Sequence, residues 1–175
     1  MDRIRLALAS FAWLGTFATG PAPALAGTSN PFVPPPQQPP QQDVILRATP
    51  EEMAAIIQEI GYRAEILKND QGKRRIRTRI GGRNVTVIFY DCDAKESCAS
   101  IGLRSYFSDE KNKGLAFANE WNRTKRFARV YIDSDNDIGM DYDVTFVGGI
   151  TKKNIREHVD IFEDEIKELV DRLRK

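Results

Sequence analysis

The 175 residues carry 26 basic and 25 acidic side chains, and taking away Arg3, Arg5 and Asp2 with residues 1–26 leaves 24 of each sign. A neutral chain lacks the broad positive field that non-specific nucleic-acid binding requires, so nucleic acid is not the expected partner. About 125 C-terminal residues have globular composition, one domain large enough to bury its own core.

The N-terminus reads as an export signal. Met1-Asp2-Arg3-Ile4-Arg5 is a short basic start, Leu6 to Thr19 is apolar, and Ala24-Leu25-Ala26 is a small-x-small site before Gly27. The apolar run falls short of the ~20 helical residues that span a bilayer, which favours a signal over an uncleaved anchor. The expectation is a signal peptide over 1–26 cut between Ala26 and Gly27, with no transmembrane span in the mature chain and a periplasmic location. Residues 27–46 follow, rich in proline and glutamine from Pro31 to Gln42. Such a stretch favours extended polyproline II and reads as a disordered linker. A proline-reading partner is the alternative use of its Pro-x-x-Pro spacing.

The domain is expected over 47–175. Thr49, Pro50 and Glu52 make an N-cap, a first-turn proline and a capping box. Met53, Ile56, Ile57 and Ile60 then form one apolar stripe, and Gly61 stops the helix. Tyr62–Lys68 and Lys73–Ile80 read as strands flanking the turn Asn69-Asp70-Gln71-Gly72. Val85–Tyr90 and Cys98–Phe107 read as the next two. Ser108, with Asp109 and Glu110 in the first turn, is expected to open a second helix.

From Phe117 to Phe146 the period changes from 3.6 to 2. Ala118, Trp121 and Asn122 come off the second half of that helix, and Phe127–Asp133 alternates as a strand. Asp133-Ser134-Asp135-Asn136-Asp137 turns the chain. Ile138, Met140, Tyr142, Val144 and Phe146 line one face of the return strand, which leaves Asp141 and Asp143 facing solvent. Gly148-Gly149 ends it, and Thr151 caps a last helix striped by Ile155, Val159, Phe162, Ile166, Leu169 and Leu173. The order α-β-β-β-β-α-β-β-α describes an α+β fold, an antiparallel sheet of about six strands with three helices packed on one face. Its short connections favour antiparallel pairing throughout.

Among residues that could carry chemistry, Cys92 and Cys98 flank the polar loop Asp93-Ala94-Lys95-Glu96-Ser97 between two strands. Facing each other across a hairpin, their Cα atoms would lie ~4.5–5.5 Å apart, within reach of a disulfide. A redox-active or metal-binding pair is the alternative, although neither a Cys-x-x-Cys nor further zinc ligands are nearby. Asp133, Asp135 and Asp137 imitate the start of a calcium loop, but Ile138 and Val144 stand where its Gly and Glu belong. The acidic run therefore reads as a hairpin turn. Arg75, Arg77 and Arg79 share one strand face with Lys73 and Arg83 near by, either a solvated face partly paired with acids such as Glu65 or a dock for an acidic partner. No aromatic residue interleaves them in the sequence. His158, the one histidine, has no recognisable nucleophile motif to serve, and no phosphate-binding or dinucleotide glycine motif is present.

Asn119-Glu120-Trp121-Asn122, then Arg126 to Asp133, Asp141-Tyr142-Asp143 and the closing Gly148-Gly149-Ile150-Thr151 before a long helix together resemble the YbjN family. That family is described as bacterial sensory transduction regulators, and the likeness covers about residues 47–173. The cysteine hairpin before Ile101 is similar to that of exported members. The resemblance implies a fold like that of type III secretion chaperones, which bind protein segments. The functional expectation is an exported, non-catalytic binding or regulatory domain, with no cofactor, metal or catalytic residue. Its expected partner is an envelope protein or peptide segment, with a second copy of the chain as a further candidate. The expected docking face carries Arg75, Arg77 and Arg79 with aromatics such as Tyr131. An enzyme whose site assembles only in three dimensions and an envelope structural protein are the alternatives.

Overall fold

A computed structural model describes residues 44–108 and 113–175. The signal, the Ala26–Gly27 junction, linker residues 27–43, and Asp109 and Glu110 lie outside the described residues. Val44–Ile45, expected to belong to the linker, form a short strand β1 that pairs with β8 (Ile150–Thr151).

Helix α1 (Pro50–Glu59) forms as its local chemistry dictates. The Thr49 side chain accepts from the Glu52 amide and the Glu52 carboxylate accepts from the Thr49 amide, satisfying two otherwise orphaned donors. At the other end Gly61 adopts φ +102°. The Gly61 and Tyr62 amides then donate back to the carbonyls of Gln58 and Ile57, a Schellman closure. Next come β2 (Glu65–Lys68), β3 (Arg74–Ile80), β4 (Arg83–Cys92) and β5 (Cys98–Phe107), where β3, β4 and β5 each pair antiparallel with the strand before.

The second helix, α2, spans Leu115–Thr124 with Gly114 at its N-cap and no side-chain cap. Ser108 therefore does not open it, and Phe117 lies in its first turn rather than its second half. At the far end α2 grips β6 (Arg129–Ile132). Asn122 Nδ2 donates to the Val130 carbonyl and Asn122 Oδ1 accepts from the Val130 amide, both at 2.9 Å. A side-chain amide thus fills the place of a neighbouring strand and blocks that sheet edge. Trp121 Nε1 donates to the Ala128 carbonyl at 2.8 Å, so this fully buried ring keeps its polar atom satisfied.

β7 (Ile138–Thr145) returns between β5 and β6, giving the sheet order β2-β3-β4-β5-β7-β6 with every neighbour antiparallel. The expected pairing direction holds throughout, but not the expectation that short turns join all neighbours. β5 and β7 pair over eight residues, from Ser100 opposite Thr145 to Phe107 opposite Ile138, with α2 and β6 intervening in the chain. Helix α3 (Lys152–Leu173) starts at Thr151, whose capping box is completed by Asn154.

Three hairpins share one turn design. In each, an Asn or Asp side chain at the first position accepts from the backbone amides two and four residues on: Asn69 from Gln71 and Lys73, Asp93 from Lys95 and Ser97, Asp133 from Asp135 and Asp137. The fourth position is left-handed in all three, held by Gly72, Glu96 and Asn136. The acidic run at 133–137 is thereby explained as turn chemistry.

Core side chains come from one face of the sheet and the stripes of the helices. Ile76, Val87, Leu103, Met140 and Val130 meet Met53 and Ile57 of α1 and Ile155, Phe162, Ile166 and Leu169 of α3. The six stripe residues of α3 that are buried contribute on the order of 10 kcal/mol before conformational entropy is subtracted. Arg172 of α3 stacks on Trp121 of α2 at 5.3 Å, so the two helices lie on the same side. The opposite sheet face is left to its own side chains.

Candidate functional site

Period-2 alternation sends Arg75, Arg77 and Arg79 of β3 to this open face, together with Thr86 and Tyr90 of β4, Arg104 and Tyr106 of β5, Asp141 and Asp143 of β7, and Arg129 and Tyr131 of β6. Register then aligns five of them. Arg77 lies opposite Thr86, Thr86 opposite Arg104, Arg104 opposite Asp141 and Asp141 opposite Arg129, one row across five strands.

Asp141 corrects the expectation that it faces solvent: it is only 4% exposed. Arg104 Nε and Nη2 donate to its two oxygens at 2.7 and 2.8 Å, and Arg129 Nη2 donates at 2.9 Å. The Tyr131 hydroxyl lies 3.3 Å from Asp141 Oδ1 and 3.3 Å from the Tyr106 hydroxyl. Bidentate and charge-assisted, these bonds are of the stronger kind. Burial by itself would raise the Asp141 pKa, but the hydrogen bonds from the two guanidiniums outweigh it and hold the carboxyl below its ordinary range. The same bonds raise the pKa of both arginines, and desolvation raises that of the Tyr131 phenol. Two cations on one anion leave one excess positive charge at a shallow depression of about 410 Å³.

Two glycines make room for tyrosine rings to lie on the sheet. A Cβ at Gly139 would fall inside the Tyr131 ring, and one at Gly102 would meet Tyr90 Cε2 at 3.1 Å. Tyr106 and Tyr131 meet edge to face with centroids 6.5 Å apart. Aromatic side chains therefore do stand on the face the arginines share, although none interleaves Arg75, Arg77 and Arg79 along their own strand.

The structure brings Arg75, Arg77 and Arg79 together but not beside Tyr131. β4, β5 and β7 lie between β3 and β6, a separation of about 19 Å at ~4.8 Å per strand. All three arginines are exposed. Arg77 Nε reaches Glu65 Oε2 at 3.4 Å, but with both side chains more than half exposed the pair adds little stability.

Cys92 and Cys98 are disulfide-bonded as directly opposed partners, their Cα atoms 3.9 Å apart, closer than the hairpin estimate. Their loop is anchored to the start of the domain. Arg47 donates to the carbonyls of Asp91 (2.6 Å) and Ser97 (3.1 Å), and Ala48 bridges Cys98 in both directions. Arg74 ties Glu96 of the loop to Glu51 of α1. On the helix side, His158 has a partner on the sheet. Its Nδ1 lies 2.7 Å from the Tyr142 hydroxyl, and burial lowers its pKa against the opposing effect of Glu157. Among the described residues no three His, Cys, Asp or Glu side chains converge as a metal-ligand set.

Arg104, Tyr106, Arg129 and Asp141 were missed as site residues. The available signal was the pair Asp141 and Asp143 alternating with Met140, Tyr142 and Val144, and Asp141 becomes meaningful only once register sets it between two arginines.

A family model matches residues 49–175: YbjN, described as "Putative bacterial sensory transduction regulator". No curated protein matches the chain. No helix among the described residues is long and apolar enough to cross a membrane.

Proposed function

Since the chain belongs to the YbjN family of sensory transduction regulators through residues 49–175, we propose that it is an exported, non-catalytic regulatory domain that docks a protein segment on its open sheet face. The observation that carries this reading is the composition of that face, where exposed Arg75, Arg77, Arg79 and Arg129 accompany Tyr90 and Tyr106. Arginine and tyrosine are the side chains that most often dominate protein interfaces, and the surplus of positive charge suits an acidic partner. Export to the periplasm is supported by the basic, apolar and small-x-small pattern of residues 1–26 and by the Cys92–Cys98 bond, which belongs in an oxidising compartment. The domain plan is a signal over 1–26, a linker from 27 and the YbjN domain from 47.

The test of docking is Arg77→Glu in the exported protein, with partner capture from the intact envelope measured by crosslinking at two ionic strengths. Weaker capture with a smaller salt dependence supports the proposal, and unchanged capture of the same partners overturns it. N-terminal sequencing checks export: a mature start at Gly27 is expected, and a Met1 start in the membrane fraction refutes it.

A further inference from the structure

β2 is shorter than the strand it pairs with, and the difference opens a cleft. The two strands run in register from Lys68 opposite Arg74 to Glu65 opposite Arg77, yet β3 continues through Thr78 and Arg79 to Ile80. Among the described residues no strand lies beside those last three on that edge, about 10 Å of backbone at ~3.3 Å per residue. The cause lies in how α1 ends. The Tyr62 amide donates to the Ile57 carbonyl, the Tyr62 hydroxyl donates to Glu163 Oε2 at 2.8 Å, and the Ala64 carbonyl accepts from Gln58 Nε2 at 3.4 Å. These bonds draw residues 62–64 toward α1 and α3 and away from β3.

Between the diverging chains lies a cavity of about 470 Å³, with Arg63 and Glu65 on one side and Arg77, Thr78 and Arg79 on the other. Its charge is lopsided. Three arginines line it against one acid, Glu65, which already pairs with Arg77, and neither Arg63 nor Arg79 has an ion-pair partner among the described residues. Thr78 is 4% exposed, and its Oγ1 has no hydrogen-bond partner. A buried hydroxyl left unpaired is a cost that a polar group brought to this edge would relieve.

The shape narrows the choice of occupant. The cleft closes at the Glu65–Arg77 pair, where β2 takes its place beside β3, so a polypeptide entering along β3 has to stop there. A chain end fits, and a segment running through does not. The arginines select the end that carries a carboxylate. Alternate residues of a strand turn both N–H and C=O to the same side, so this edge of β3 can also pair with the last residues of such a chain.

We infer that the cleft between residues 62–65 and β3 is a receptor for the C-terminal carboxylate of an extended protein segment, with Arg63 and Arg79 as its cationic clamp. This deepens the docking reading above and rests on it: the segment is docked by its C-terminal end, at the edge of the face rather than across it.

The probes are two mass-tagged pools of hexapeptides of randomised sequence, one ending in the free carboxylate and the other in a carboxamide. They are mixed in equal amounts over the immobilised, disulfide-intact exported protein, and the retained peptides are counted by mass spectrometry. The free-acid pool is expected to be retained about tenfold over the amide pool, the effect of one charge-assisted contact. Arg79→Gln should bring that ratio to within about twofold of unity, and Arg63→Gln should do the same. Arg75→Gln, on the same strand face but outside the cleft, should leave the ratio as it is. Equal retention of the two pools, retention of neither, or an equal fall at Arg75 and Arg79 overturns the receptor. In each of those cases docking on the face still stands if Arg77→Glu weakens capture from the intact envelope, and falls with the receptor if it does not.

Discussion

The arginines of β3 and those of β5 and β6 leave the same sheet face, yet they live in different electrostatic surroundings. Around Arg75, Arg77 and Arg79 water does the solvating, and Glu65, the acid paired with Arg77, is 63% exposed. Around Arg104 and Arg129 the solvating group is Asp141, which is 4% exposed and lies 37 and 12 residues from them in the chain. The first group can be altered at little cost because each charge keeps its hydration. The second cannot, because removing its centre leaves two guanidiniums to repel each other over a partly dry surface. Arginine on an alternating strand thus says only which face it leaves; the cross-strand neighbour decides whether it is a surface charge or a structural one.

The sharpest way to break this contrast is Asp141→Asn, which should cost about 3 kcal/mol, at the low end for a broken buried pair because Arg129 can rehydrate. Urea unfolding measures it, and a loss no larger than that of a surface substitution would put the two clusters in one class. The same variant carries a pH signature. The Asp141 carboxyl sits below its ordinary value of 3.8 in the folded protein, so the unfolded chain takes up that proton first as pH falls. Its stabilisation is complete above that ordinary value and is lost as pH drops through the lower folded value. Asp141→Asn should lack this part of the acid-induced loss.

Reduction of Cys92–Cys98 probes both clusters at once, since the bond joins β4, which lies between them, to β5, which carries Arg104. Chain-entropy bookkeeping for the seven-residue loop gives about 2.4 kcal/mol. The melting temperature should fall while partner capture below it persists; capture lost on reduction would make the bond part of the interface. A smaller effect is expected from Gly139→Ala, about 1 kcal/mol, because the new methyl group displaces the Tyr131 ring from the sheet. In a Tyr131→Ala background the same change should cost nothing, and a persistent cost would locate the clash elsewhere. Smallest is Arg77→Glu, within about 0.5 kcal/mol of wild type, as befits an exposed site. A much larger loss would mean that the β3 arginines also belong to a buried network.

The sequence by itself determined whatever is settled within a few residues of chain. Thr49 with Glu52, Gly61 after Ile60, and Thr151 before Lys152 mark helix ends because caps are local hydrogen bonds and local backbone geometry. The stripes of α1 and α3 follow from period 3.6, the two faces of each strand from period 2, and the disulfide from two cysteines at the mouths of one hairpin. Only the tertiary structure decided the rest. Ser108 looked like a cap, yet α2 begins at Leu115. Val44 and Ile45 looked like linker, yet they find a partner in β8 more than a hundred residues away. β5 pairs with β7 across an intervening helix and strand, and that pairing sets Asp141 between Arg104 and Arg129 and places Gly139 under the ring of Tyr131. Alternation specifies the face of a strand that a side chain leaves, but register between distant strands is fixed by backbone hydrogen bonds and core packing summed over the whole sheet. Which charges meet on that face is a property of the sum.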